Sequence, residues 1–235
     1  MVKCSGRKGF SSGGETTQIP SRRPVRYFVL NKPAGCITAR RDFADRPTVY
    51  DHVPSHYPDL PHAGRLDYPT EGLLLFTDDG PLVQAVLNPA VGGTIEKVYR
   101  VKVRDRLEPD DPRIARLEAP LTYPSGIVTR PARARFAELR KRATWLEIVI
   151  SEGRNRQVRR LCARSGFDVL KLRRVAIGPL QLGELTLRWC RVLGQAEVRT
   201  LYAAALPGVE PAIWEPIDDS EAARASRPGK KVKTD

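Results

Sequence analysis

Cysteine is scarce here and badly spaced for bonding. The four cysteines, Cys4, Cys36, Cys162 and Cys190, lie far apart with no C-x-x-C pair, which argues against both a disulfide framework and a zinc ribbon. No apolar run approaches the ~18 residues of a membrane span, and Met1 to Arg7 has no apolar export core. A cytoplasmic protein with reduced thiols and no membrane association is therefore expected. The G-x-S-x-G, G-x-x-x-x-G-K-[ST] and G-x-G-x-x-G patterns are absent, so hydrolase-elbow, P-loop and dinucleotide-binding readings have no support. His52 and His56 are spaced i,i+4 with His62 nearby, but Pro54, Pro58 and Pro61 break the helix that such a metal site needs. No metal ligand set is expected.

Acidic residues are also in short supply. Asp and Glu number 27 against 40 Lys and Arg in 235 residues, a formal net charge of +13. Such an excess most often answers a polyanion, because each cation that neutralises a phosphate releases a condensed counterion. Residues 1–24 are rich in Gly, Ser and Thr, carry a net +4 and show no apolar periodicity; residues 217–235 carry a net +1. Both read as disordered tails. The remaining +8 belongs to residues 25–216, a length that suits one folded domain with a core of its own.

Within that domain, short β-type runs alternate with a few helical ones. Residues 26–30 read as a strand leading into a turn at Asn31-Lys32-Pro33-Ala34-Gly35, and Leu73 to Thr77 as a buried strand. Pro81 suits the first position of a helix through Leu87. Residues 98–103 alternate, placing Tyr99, Val101 and Val103 on one face and Arg100 and Lys102 on the other. Residues 145–150 and 169–172 are further strand candidates, and 109–117 is a weaker helical one. Several junctions are too short for parallel crossovers, which predicts an α+β fold with a mixed, largely antiparallel sheet and flanking helices.

Two stretches carry chemistry. Residues 153–166 follow a strand, offer Asn155 as a helix N-cap and stop at Gly166. On that helix Val158, Leu161 and Cys162 fall on one face, with Arg156, Arg159, Arg160 and Arg164 on the opposite arc. Residues 153–174 carry a net +7, with Asp168 the lone local acid. Solvated helix faces usually interleave acidic i,i+4 partners, so this pattern favours phosphate binding, and arginine suits bidentate phosphate contacts. The second stretch, His62 to Leu75, holds Arg65, Asp67, Thr70 and Glu71 in a loop just before the buried strand. An aspartate there fits a turn or cap role as well as a chemical one. Aspartates of ordinary acidity are ionised at neutral pH and can attack without an activating base.

Taken together, Asn31 to Gly35, Gly64 to Leu74 (with its R-L-D-x-x-T-x-G-L-L spacing), Lys97 to Val101 and Glu152 to Arg160 resemble, in order, the motifs of the RsuA-type ribosomal pseudouridine synthases. The resemblance implies that Asp67 is the attacking carboxylate, that Tyr99 stacks on the target base and takes part in C5 deprotonation, and that Arg159 pairs with Asp67. It further implies that Arg65, Thr70 and Arg154 shape the loop or touch RNA and that no cofactor is needed; the charge pattern adds Arg156, Arg160 and Arg164 of the basic helix as RNA-binding residues. The expected partner is ribosomal RNA, 23S in particular, or an assembling large subunit, engaged by a monomer. An enzyme that isomerises a uridine in a helix must first extrude it, and Tyr99 suits that task, although apart from the resemblance it reads better as a core tyrosine.

The chain departs from the family pattern at Tyr68-Pro69, where a basic or Asn/Asp pair is common, and at Thr77-Asp78-Asp79-Gly80, where T-N-D-G is frequent. The 24 residues before the first strand are too few for an S4-type RNA-binding domain, which points to the RluE-like branch lacking it. The rival reading is a non-catalytic RNA-binding or ribosome-assembly protein of the same fold. Net charge fits both, and Asp67 separates them.

Overall fold

A computed structural model of the chain describes residues 25–211 apart from 55, 56 and 58. Both expected tails, and His56 of the histidine trio, lie outside the described residues. The described strands are β1 (Tyr27–Lys32), β2 (His62–Ala63), β3 (Thr70–Thr77), β4 (Lys97–Val103), β5 (Arg133–Arg140), β6 (Ala143–Ile150), β7 (Val169–Ile177), β8 (Leu180–Gln181) and β9 (Cys190–Val192). The helices are α1 (Gly80–Leu87), α2 (Pro112–Arg116), α3 (Gln157–Arg164) and α4 (Gln195–Ala205), with a 3-10 turn at Val49–His52.

All nine strands join one sheet in the order β5-β6-β4-β7-β3-β1-β9, with β2 on β3 and β8 on β7. Among the named strands only β3 and β7 run parallel, so the expected mixed, largely antiparallel sheet is what forms. β1 and β3 are buried at every position, which explains their continuous apolar character: a strand covered on both faces has no solvent side to keep polar. One face of this pair packs Tyr27, Val29, Leu73 and Leu75 against α1 and α4. The other packs Phe28, Leu30, Leu74 and Phe76 against Val49 and Leu60. β4 instead alternates buried and half-buried residues, and its inner Tyr99, Val101 and Val103 form a further core with Val158, Leu161 and Cys162 of α3. The tertiary fold thus uses the predicted faces of both β4 and α3.

Three local expectations need correction. β1 runs on through Asn31 and Lys32 before turning, because Lys32 is fully buried and its ammonium finds carbonyl partners. Helix α1 starts at Gly80, capped by Asp79, so Pro81 is its second residue. The cap of α3 is Arg156 in the left-handed conformation (φ 52°), without a side-chain cap bond, and not Asn155. Asp79 does more than cap: its carboxylate also accepts from the hydroxyls of Tyr27, at 2.7 Å, and Tyr202, which pins α4 onto the start of α1. The elements missing from the sequence reading are α4, β5 and the short strands β2, β8 and β9.

Candidate active site

The loop between β2 and β3 carries the R-L-D motif, and buried polar bonds hold it from beneath. Lys32 Nζ donates to the carbonyls of Pro33 (3.0 Å), Asp67 (3.2 Å) and Thr70 (2.9 Å). Burial holds the Lys32 ammonium below the usual lysine range, partly offset by Cys36, Asp67 and Glu71. Thr38 Oγ1 donates to the Leu66 carbonyl and accepts from its N–H, and the Thr70 N–H bonds the Asp67 carbonyl at 3.0 Å. Asp67 therefore has a tightly held backbone and a half-buried side chain that accepts no hydrogen bond among the described residues. Such a carboxylate is oriented without being consumed. Further along the motif, Gly72 (φ +108°) lets β7 approach: a Cβ there would lie 2.1 Å from the Arg174 carbonyl oxygen.

Asp67 faces a pocket of about 430 Å³ shared by the loop, β4 and the turn before α3. Its cationic lining comes from Arg65, Lys97, Arg154, Arg156, Arg159 and Arg174, against Asp67 as the one carboxylate. Tyr99, Leu172 and Val158 supply apolar surface, and Tyr99 is 8% exposed. Three buried polar atoms of this lining, Thr70 Oγ1, Arg159 Nε and an Arg174 guanidinium nitrogen, have no protein partner. Buried polar groups are normally satisfied, so three unpartnered ones beside one cavity set this lining apart.

The pocket gathers seven of the nine sequence-predicted site residues, Asp67, Thr70, Tyr99, Arg154, Arg156, Arg159 and, at its rim, Arg65. The pairing expected between Arg159 and Asp67 is not an ion pair within 4.0 Å. Arg159 is half-buried and donates to the Pro69 carbonyl at 3.2 Å; burial lowers its pKa from the ordinary arginine value while Asp67 acts on it through space in the opposite sense. Arg160 and Arg164 lie outside the pocket lining, and the single basic face expected for α3 is divided. Arg160 sits over the Tyr123 ring at 5.1 Å. Arg164 donates to the carbonyls of Pro120, Arg116 and Ala119, groups left open where the short helix α2 ends. The net +7 is also tempered by a distant carboxylate: Glu71 pairs with Lys171 at 3.1 Å and Arg173 at 2.9 Å.

A family profile described as RNA pseudouridylate synthase matches residues 26–164. The chain belongs to this family. It is 35% identical over 206 residues to ribosomal large subunit pseudouridine synthase B of Bacillus subtilis, covering 87% of this chain and 81% of that protein. With ribosomal large subunit pseudouridine synthase E of Xanthomonas campestris it shares 39% identity over 175 residues, 67% of this chain and 89% of the relative. A crystal structure of a pseudouridylate synthase superposes with a TM-score of 0.64 at 35% identity, over 75% of this chain and 74% of the other.

In this synthase the supporting residues are those that local sequence reading overlooks. Gln157 accepts from the Arg154 N–H at 3.1 Å and donates to Glu152 at 3.1 Å, and Glu152 also accepts from the Arg130 N–H at 2.8 Å, fixing the turn that presents Arg154. The position of Gln157 and Glu152 inside the matched E-G-R-N-R-Q stretch is the signal that could have found them. Lys97, 5% exposed, donates to the carbonyls of Val86 and Ile95 at 2.8 Å each, and burial, with Arg174 nearby, lowers its pKa to about 8.

Lys97 makes a testable contribution to pH dependence. Below about pH 8 folded and unfolded chains both hold the proton, and the cost of burying the charge is fully present. Between about pH 8 and the ordinary lysine value of 10.5 the unfolded chain binds the extra proton, so the stability contributed by Lys97 rises with pH, by up to about 1.4 kcal/mol per unit. Urea unfolding at pH 7, 8, 9 and 10 should show wild type gaining on Lys97→Met across this window. A constant difference between the two would refute it.

Proposed function

We propose that this synthase isomerises a uridine of large-subunit ribosomal RNA to pseudouridine, with Asp67 as the attacking group. The observation that carries the reading is one carboxylate, backed by buried bonds to its own loop, alone among six cations in a pocket floored by an aromatic ring. Cations steer the phosphates of RNA toward the opening. A uridine swung out of its helix exchanges lost stacking for contact with Tyr99. The Asp67 carboxylate attacks C1′ as the N1–C1′ bond breaks, the freed uracil turns over, and its C5 attacks C1′ and displaces the carboxylate, which regenerates Asp67. Loss of the C5 proton then restores the aromatic ring, N1 having gained a proton. Tyr99, at the face of the base, is suited to take part in that last transfer. The proton lost from C5 is matched by the one gained at N1, so the product is an isomer of the substrate and the balance needs no oxidant, reductant or cofactor.

Arg159 serves as a positioning residue, holding the Pro69 carbonyl beside the loop and placing its charge near Asp67 without quenching it. Arg65, Arg154 and Arg156 contact the RNA backbone at the rim, while Arg160 and Arg164 contribute chiefly by tying α3 to the segment after α2. The protein acts in the cytoplasm as a monomer. A non-catalytic RNA-binding protein would account for the cations; it gives no role to a carboxylate placed where it repels phosphate. The direct test is a map of pseudouridine in ribosomal RNA from cells with and without the gene. One large-subunit site should vanish with the gene and return with the wild-type copy. Identical maps would reject the proposal.

A further inference from the structure

A second groove lies beyond the far end of β4, on the other face of the sheet. Register places Trp145 opposite Lys102, and Lys102 opposite Lys171, so these side chains share the face turned away from Tyr99. The β5–β6 hairpin adds Arg140, Lys141 and Arg142, and Arg104 follows β4, so that five cations and one indole line a groove containing no carboxylate. Arg104 and Arg140 are answered by Asp168 and Glu138 at its edge; Lys102, Lys141 and Arg142 have no ion pair among the described residues. The contrast with the neighbouring row is sharp. One step back along the same face, Arg135 and Arg100 both reach Glu147, and Arg173 reaches Glu71. Each cation in the middle of this face thus has a carboxylate partner, whereas three around Trp145 have none among the described residues. Leu170, 43% exposed, extends the apolar surface beside the half-buried indole.

Unanswered cations around a half-buried aromatic face form the pattern that binds single-stranded nucleic acid, phosphates meeting the charges and a base stacking on the ring. An acidic peptide would use the cations but leave the indole idle. We propose that the groove around Trp145 is a second RNA-binding site that takes an unpaired segment outside the target helix. Only the choice of RNA as ligand rests on the proposed function. Tyr99 and Lys102 are three residues apart, about 10 Å along the strand, so an RNA that extends beyond the helix whose uridine enters the pocket can reach round the sheet to it.

The test is fluorescence anisotropy with a labelled oligouridine of twelve nucleotides. Lys141→Glu with Arg142→Glu, both at an exposed hairpin tip, should weaken binding about tenfold and flatten the log–log salt dependence by about 1.4, the slope for two lost contacts to a single strand. Trp145→Ala should also cost about tenfold and Trp145→Phe much less, since stacking needs only a ring. Arg199→Glu, at an exposed position of α4, should change little. Unaltered affinity and slope in the hairpin variant would overturn the proposal, as would an equal loss in Arg199→Glu or equal displacement of the probe by polyglutamate and polyuridine. Turnover of a ribosomal RNA transcript is read separately. An inactive wild type would refute the isomerase reading and leave the binding result intact.

Discussion

Replacing Asp67 by asparagine should lower uridine isomerisation by at least about a thousandfold while leaving RNA affinity within a few fold of wild type. The substitution keeps size and shape, and the loop bonds run through the Asp67 carbonyl, held by Lys32 and the Thr70 N–H, so the backbone has no reason to move. What is lost is the nucleophile, and removing such a group costs the covalent route entirely. Affinity should if anything increase, because the variant removes the one negative charge from a pocket whose other charged lining groups are cations. Release of tritium from C5-labelled uridine in a ribosomal RNA transcript reports turnover, and filter binding reports affinity. Turnover within tenfold of wild type would show that Asp67 is not the attacking group. A large loss of affinity at unchanged turnover would move it from chemistry to binding.

That prediction draws on a residue visible in the sequence, and the contrast with what was not visible is physical. β3 and β4 are legible because burial on two faces or on one writes a continuous or an alternating pattern. α4 is legible in principle, since Val198, Leu201, Tyr202 and Ala205 are its buried residues at i, i+3, i+4 and i+7. β5 is not: it is an edge strand, exposed or half-buried throughout, and its pairing with β6 is decided by tertiary contacts. The basic helix shows both the reach and the limit of a local window. Its apolar face is correct, yet a window cannot show Glu71 arriving from another strand to pair Lys171 and Arg173, or three carbonyls after α2 engaging Arg164. The pocket shows the same limit. Asp67, Tyr99 and the rim arginines are marked by motif, whereas Lys32, Lys97 and Arg174 look like surface cations in sequence and are 0%, 5% and 5% exposed in the fold.

The buried lysine carries the second large effect. Lys32→Met preserves the length and apolar stem of the side chain and removes its three donors, so the carbonyls of Pro33, Asp67 and Thr70 lose a partner together. An unsatisfied buried polar group costs roughly 1–3 kcal/mol, but the variant also escapes the cost of burying a charge; a net loss of about 3 kcal/mol is expected in urea unfolding. The catalytic effect should exceed the stability effect in kind. Two of the three bonds flank the turn that aims the Asp67 carboxylate, and a shift of about 1 Å in a reacting group can cost about a hundredfold. Turnover per folded molecule should therefore fall by about that factor with KM nearly unchanged, since the rim arginines stay in place. Lys32→Arg should not rescue it, because a planar guanidinium cannot direct donors to three carbonyls converging on one point. A variant that loses stability but turns over at the wild-type rate when folded would reduce Lys32 to a structural residue and leave Asp67 positioned by Thr38 and Thr70 alone.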